Sequence, residues 1–294
     1  MDVSKCKAFL TAAECGTFSA AAERLHYTPS GVSQLVSALE QELDLTLLRR
    51  TQRGVFLTAA GETILPAIRA FLQQAERVEQ VAAELNDLHR GSIVVASYPS
   101  MAMLYLPGVL REFQERYPNI RIQIREGERR EQLAWLQNGE ADLAFLGGDE
   151  SLPGDWFPLA EDPMLVLLSK DHPMAGEPVF PLQRLRSEHF IMGGLGLDTD
   201  VVELLESHGV HPNVSLSMVS GVTVLAMVES GLGISVMNEL VTKTYPFHGV
   251  KLPLEPPQTI TLGILVPELD SAPPAVRRFL DFAVKRLTAP IKTQ

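Results

Sequence analysis

Between Gly61 and Gly91 the chain carries no glycine and one proline, Pro66. Along this stretch Ile64, Ile68, Phe71, Ala75, Val78, Ala82 and Leu85 recur at alternating steps of four and three. That alternation is the apolar seam of a coiled coil, and a lone solvated helix has no physical reason to keep it. Thr58 supplies an N-cap, so the spacing predicts one helix from Ala59 to about Leu88, ~45 Å long at ~1.5 Å per residue. Pro66 removes one backbone hydrogen bond and predicts a kink near the start. Two arrangements satisfy the seam: packing on the helix's own domain, or pairing with the same helix of a second copy. The second makes 59–90 a linker and dimerisation helix between a short part, 1–58, and a long part, 91–294.

Charge divides the chain at nearly the same place. The net charge is −11, yet the first 60 residues hold six basic and six acidic side chains, so the acidic excess lies beyond them. Such asymmetry suggests two tasks. No apolar run approaches the ~18 residues of a membrane span. Met1-Asp2-Val3-Ser4-Lys5 lacks the basic-then-apolar pattern of a secretory signal. Two cysteines, Cys6 and Cys15, exclude a disulfide scaffold and suit a reducing cytoplasm.

In the first part, Thr28 as N-cap and Pro29 as first helical residue start a helix. Val32, Val36, Leu39 and Leu43 form its apolar stripe, and Ser30, Ser33, Gln34, Ser37 and Gln41 lie opposite. Ahead of it comes a short helix, Ala20–Leu25, opened by Ser19, and before that a helix from Val3 to Glu14, ended at Gly16. Two helices joined by a tight turn at His26-Tyr27, the second offering short hydrogen-bonding side chains, form a helix-turn-helix. Gln34 has the chemistry to pair with adenine in a major groove, and Ser33 to meet a base or phosphate. Thr46–Arg50 and Val55–Leu57 then read as a hairpin bearing Arg49, Arg50 and Arg53, a wing for the DNA backbone or minor groove.

Beyond Gly91, short apolar runs alternate with helix-like segments. The runs are Ile93–Ala96, Ile120–Ile124, Ala141–Leu146, Met164–Leu168, His189–Met192, Val214–Val219, Ile234–Met237 and Ile260–Val266. Continuous hydrophobicity predicts strands buried on both faces, as in parallel α/β sheets. Strand–helix alternation over 92–146 and again over 189–237 predicts two α/β lobes. Ligands bind such sheets where strands end and helices begin. The candidate effector-binding residues at those ends are Ser97, Tyr98, Ser100, Met101, Glu126, Gly147, Gly194, Thr199, Ser220 and Met237.

The first sixty residues resemble the LysR-type transcriptional regulators. The match runs through Phe18–Leu25, Thr28–Gln34, Ala38–Glu40, Leu47–Arg50 and Arg53–Glu62. It departs from the usual pattern at Gly31, Leu48 and Asp44, the last standing where glycine commonly closes the recognition helix. A looser likeness continues through Leu106-Pro107, Tyr117-Pro118, Gly139–Ala144 and Gly231–Ile234. The resemblance implies an α+β multidomain protein: an N-terminal winged helix-turn-helix, a long linker helix and a C-terminal two-lobed α/β effector domain like that of periplasmic solute-binding proteins. Its last helix would return to the first lobe, which gives lobe I at about 91–161 and 267–294 and lobe II at about 162–266. Ser30, Ser33 and Gln34 would face double-stranded DNA, with Arg50 and Arg53 at the wing. Homodimers are implied, and the family commonly assembles them in pairs as tetramers.

Catalytic chemistry has no counterpart here. No G-x-S-x-G, P-loop or H-E-x-x-H occurs, and Gly193-Gly194-Leu195-Gly196 does not fit G-x-G-x-x-G. His208 and His211 lack converging metal ligands. No cofactor is expected. A solute-binding protein and a two-lobed enzyme are the rivals; the missing secretory signal and the first 90 residues speak against the first, and the absent catalytic constellation against the second. The hydroxyls and helix starts of the cleft, with Tyr98, Met101, Met192 and Met237, suit an effector with an aromatic or apolar body and one acidic group.

Overall fold

The computed structural model describes residues 1–51, 54–85, 91–196 and 199–288. It divides into two units, Met1–Leu88 with Gln137–Glu140, and His89–Leu136 with Ala141–Gln294.

The first unit begins with α1 (Val3–Cys15), α2 (Phe18–Leu25) and α3 (Pro29–Leu43), continues through the hairpin β1 (Leu48–Thr51) and β2 (Gly54–Leu57), and ends in α4 (Ala59–Leu85). Each helix carries its own punctuation. Asp2 caps α1, and Gly16 closes it at φ 69°. Helix α2 starts earlier than the sequence suggests: the Thr17 side chain, not Ser19, accepts from the Ala20 amide. Thr28 caps α3, and Asp44 closes it in the left-handed region at φ 51°. Asp tolerates that conformation, so the position that is commonly glycine keeps its geometry here. Cys6, Phe9, Ala12, Ala21, Val32, Val36, Leu39 and Leu47 are the buried centre. Gly54, at φ 130°, is required twice, because a Cβ there would also lie 2.5 Å from the Gly16 carbonyl oxygen.

Helix α4 continues through Pro66 without ending. Its apolar seam is split. Ile68 is buried in the helix-turn-helix core, with Ile64 and Phe71 packed against that core. Val78, further along the seam, is 69% exposed, and Ala82 is exposed too. The seam is therefore not one continuous interface: its first part belongs to the helix's own domain.

The second unit contains β3 (Gly91–Ser97), α5 (Pro99–Leu104), α6 (Leu106–Arg116), β4 (Ile120–Glu126), α7 (Arg129–Gln137) and β5 (Leu143–Gly147). Long β6 (Asp155–Leu168) and short β7 (Phe180–Pro181) follow, then β8 (His189–Met192), α8 (Thr199–Ser207), β9 (Asn213–Ser217) and α9 (Gly221–Glu229). The chain finishes with β10 (Ser235–Asn238), α10 (Glu239–Thr244), β11 (Val250–Glu255), β12 (Thr259–Val266) and α11 (Pro274–Thr288). The main sheet has the order β4-β3-β5-β12-β6-β11-β7, with β10 also on β6, while β8 and β9 form their own pair.

The sheet is mixed rather than parallel. β3 runs parallel to β4 and β5, but β12 is antiparallel to both β5 and β6, and β10 and β11 are antiparallel to β6. Burial on both faces shows in the apolar runs but does not fix strand direction. The run at 214–219 departs further, since β9 is exposed along its whole length.

Lobe I packs α6 and α11 over β3, β5 and β12, with Phe113 edge-on to Phe279 at 5.1 Å. Helix α11 thus returns to lobe I. Strand β12, expected in lobe II, belongs to lobe I, because Leu262, Ile264 and Val266 lie in that core. Lobe II is one continuous stretch between the two crossings, near Pro163 on β6 and Gln258 before β12. Its core joins Met164, Val166, Phe190, Leu205, Val236 and Leu252.

Candidate functional site

Two places in the molecule gather the polar residues singled out in the sequence, one in each unit. In the first unit, Thr28 Oγ1 accepts from the Gly31 amide at 3.1 Å and lies 3.1 Å from Ser30 Oγ. Gly31 leaves room for that cap, as a Cβ there would meet the same oxygen at 3.1 Å. Ser30 and Gln34 are exposed. Ser33 is half-buried, and its Oγ accepts from Arg50 Nη2 at 2.8 Å. The Arg50 guanidinium also stacks over Phe18 at 4.7 Å. Arg50 on β1 therefore ties the hairpin to both helices of the motif, a positioning contact that spacing alone did not indicate. Arg53 lies outside the described residues. Tyr27 is 50% exposed beside the start of α3.

In the second unit the strand ends converge on a cavity of about 420 Å³ between the lobes. Lobe I supplies Tyr98 and Ser100 from the β3–α5 turn and Glu126 from the end of β4. Lobe II supplies Gly194, Ser220 and Met237. Three other expected residues are elsewhere. Ser97 is fully buried and donates to the Tyr98 carbonyl at 2.9 Å. Met101 is fully buried in the lobe I core. Gly147 does not line the cavity; a Cβ on it would lie 3.0 Å from the Asp200 carboxylate, so its bareness admits that group. The Thr199 side chain lies outside the described residues.

Sequence reasoning missed the charged contact that joins the lobes. Arg129, at the start of α7 and 8% exposed, donates through Nη1 to Glu203 at 2.9 Å and through Nη2 to Asp200. Tyr98 donates its hydroxyl to the other Asp200 oxygen at 3.2 Å. Burial opposes the guanidinium charge, but Asp200, Tyr98 and Glu203 outweigh it and raise the Arg129 pKa. Asp200 lines the cavity on one side and, with Arg129, a second cavity of about 330 Å³ on the other.

The cavity wall is acidic. Glu126, Glu128, Glu131 and Asp200 line it, and no lysine, arginine or histidine does so among the described residues. The acidic effector group expected from the sequence, to be held by hydroxyls and helix starts without an arginine, would stand among these carboxylates. Asn238, also in the wall, donates to Asp162 at 2.6 Å, and the Leu240 amide donates to the same oxygen at 3.1 Å. Burial raises the Asp162 carboxyl above the usual carboxylate range, although these two hydrogen bonds work the other way.

Residues 3–62 match the family described as bacterial regulatory helix-turn-helix protein, lysR family, and residues 86–288 match the LysR substrate binding domain. The chain is a LysR-type transcriptional regulator. It is 30% identical over 289 residues to the HTH-type transcriptional regulator YvbU of Bacillus subtilis (strain 168), covering 96% of this chain and 98% of that relative. A full-length OxyR variant from Pseudomonas aeruginosa has the same fold, with TM-score 0.76, 23% identity and coverage of 100% and 99%. CbnR in complex with its target DNA has it too, with TM-score 0.67, 22% identity and coverage of 97% and 99%. The regulator thus pairs a DNA-binding unit with an effector-binding domain and is not an enzyme. No described helix is long and apolar enough to cross a membrane.

Proposed function

We propose that this regulator is ligand-responsive: a small molecule in the inter-lobe cavity alters its DNA binding or its activation of transcription. The observation that carries this reading is the cavity itself, walled by the strand ends of both lobes and bridged by Arg129 and Asp200. A ligand touching both walls interacts differently with open and closed lobes, and differential affinity is what shifts a conformational equilibrium. On the DNA side, α3 enters a major groove with Ser30 and Gln34 toward base edges, and Arg50, held by Ser33, lies beside the backbone with Arg53 of the wing. The part of the seam left exposed at Val78 pairs with a second copy, so that two recognition helices meet two half-sites. Dimers of this kind, joined in pairs, give the tetramer expected for the family.

Gly221 lies in the cavity wall, and a Cβ added to it would meet only the Met237 and Val241 side chains, at 3.9 and 4.0 Å. A side chain can therefore start at this position without displacing its neighbours, and Gly221→Trp is the variant chosen to block the cavity. A gel shift against the region upstream of the regulator's own gene, with a cell extract of small molecules added, checks the reading. The wild type should respond to the extract, whereas Gly221→Trp should bind DNA and ignore it. An equal response from both would place the effector elsewhere.

A further inference from the structure

The charge of the cavity wall bears on which class of effector it accepts, and this step rests on the cavity being the effector site. A carboxylate entering it would shed water while approaching three like charges, Glu126, Glu128 and Glu131, beside Asp200, whose charge Arg129 already meets. A protonated nitrogen would shed water toward those three carboxylates. The remaining wall includes Met164, Val201 and Met237 together with the rings of Tyr98 and Tyr245, which suit an apolar body and a cation over an aromatic face.

One contact within the fold shows that this position takes a cation. Behind the wall the nine-tenths-buried Arg129 guanidinium lies against one oxygen of Asp200, and the other oxygen accepts from Tyr98 on the cavity side.

We propose that the effector carries a cationic nitrogen, an ammonium or guanidinium group on an apolar body, and that this nitrogen is held by Glu126 and Asp200. Arg129 then acts as the internal cation that Asp200 keeps when the cavity is empty. An entering nitrogen shares or takes that carboxylate, so occupancy is coupled to the contact that joins the lobes.

Charge-matched probes test this on the full-length protein. Thermal shifts are measured with phenethylamine, agmatine, putrescine and phenylalanine, and with phenylacetate and 3-phenylpropionate as acids of similar shape, on wild type, Gly221→Trp and Glu126→Gln. Circular dichroism and operator binding first establish that both variants are folded. The expected result is stabilisation by at least one amine and by neither acid, lost in Gly221→Trp, with affinity at least tenfold weaker in Glu126→Gln. A response to phenylalanine but not to phenethylamine would show that a carboxylate is required and would overturn the charge assignment. Stabilisation by the acids alone, lost in Gly221→Trp, would overturn the charge assignment and leave the cavity as the effector site. A shift unchanged in Gly221→Trp would overturn the cavity reading as well. No shift from any amine would also overturn the proposal.

Discussion

At the scale of single residues, the recognition helix separates two kinds of side chain that look alike in the sequence. Ser30 and Gln34 are exposed, whereas Ser33 is already committed to Arg50. Gln34→Ala should therefore cost about 1–3 kcal/mol of operator binding and relax preference at one base pair, measured by gel shift against single-base operator variants. Arg50→Lys keeps the charge but loses the planar group that stacks on Phe18 and reaches Ser33, so it should weaken binding to all sequences alike. The cap at Thr28 and the left-handed Asp44 were legible because each depends on neighbours in sequence. The Arg50–Ser33 bond was not, because it spans 17 positions and exists only once the hairpin is folded against α3. Asp162 gives a residue-scale test with a definite sign. Its folded pKa is raised, so the proton-linked stability is complete below the unfolded value and is lost as pH rises through the raised one. Asp162→Asn lacks this loss, and its stability relative to wild type should grow as pH rises above the ordinary aspartate value of about 4 in urea titrations. A gap that narrowed with rising pH would contradict the assignment.

Elements were readable where hydrophobicity is concentrated and obscure where it is interrupted. The apolar runs mark strand cores from β3 to β12, but β11 carries Pro253 and the first part of β6 carries Asp155, Glu161 and Asp162, so neither forms a run. The coiled-coil period of α4 was visible, yet periodicity does not say what the stripe packs against. Buried Ile68 and exposed Val78 share that stripe, and their variants should fail differently. Val78→Glu should leave the fold intact and yield monomers by light scattering, with operator binding lost. Ile68→Glu should destabilise the DNA-binding unit itself, seen as an early loss of helical circular dichroism on heating. A dimeric Val78→Glu protein would show that this part of α4 is not the contact.

For the whole molecule, the two lobes and their sites depend on sums that no local pattern displays. The text Glu126-Gly127-Glu128-Arg129-Arg130-Glu131 was in view, but only the folded sheet separates its charges, three glutamates to the cavity and Arg129 to the lobe junction. Arg129→Ala should destabilise the effector-binding unit by about 3–5 kcal/mol, because it leaves the Asp200 charge buried without its partner. Arg129→Met combined with Asp200→Asn should recover part of that loss in denaturant titrations, since no unpaired buried charge remains there. Finally, β6 and β12 cross at Pro163 and Gln258, and everything between these residues is one unbroken length of chain. Lobe II is thus an insert with both ends at a shared border. A single exchange of genetic material with a relative can replace half of the cavity at once and leave the DNA-reading unit untouched, so effector preference can diversify by segment while the operator stays the same.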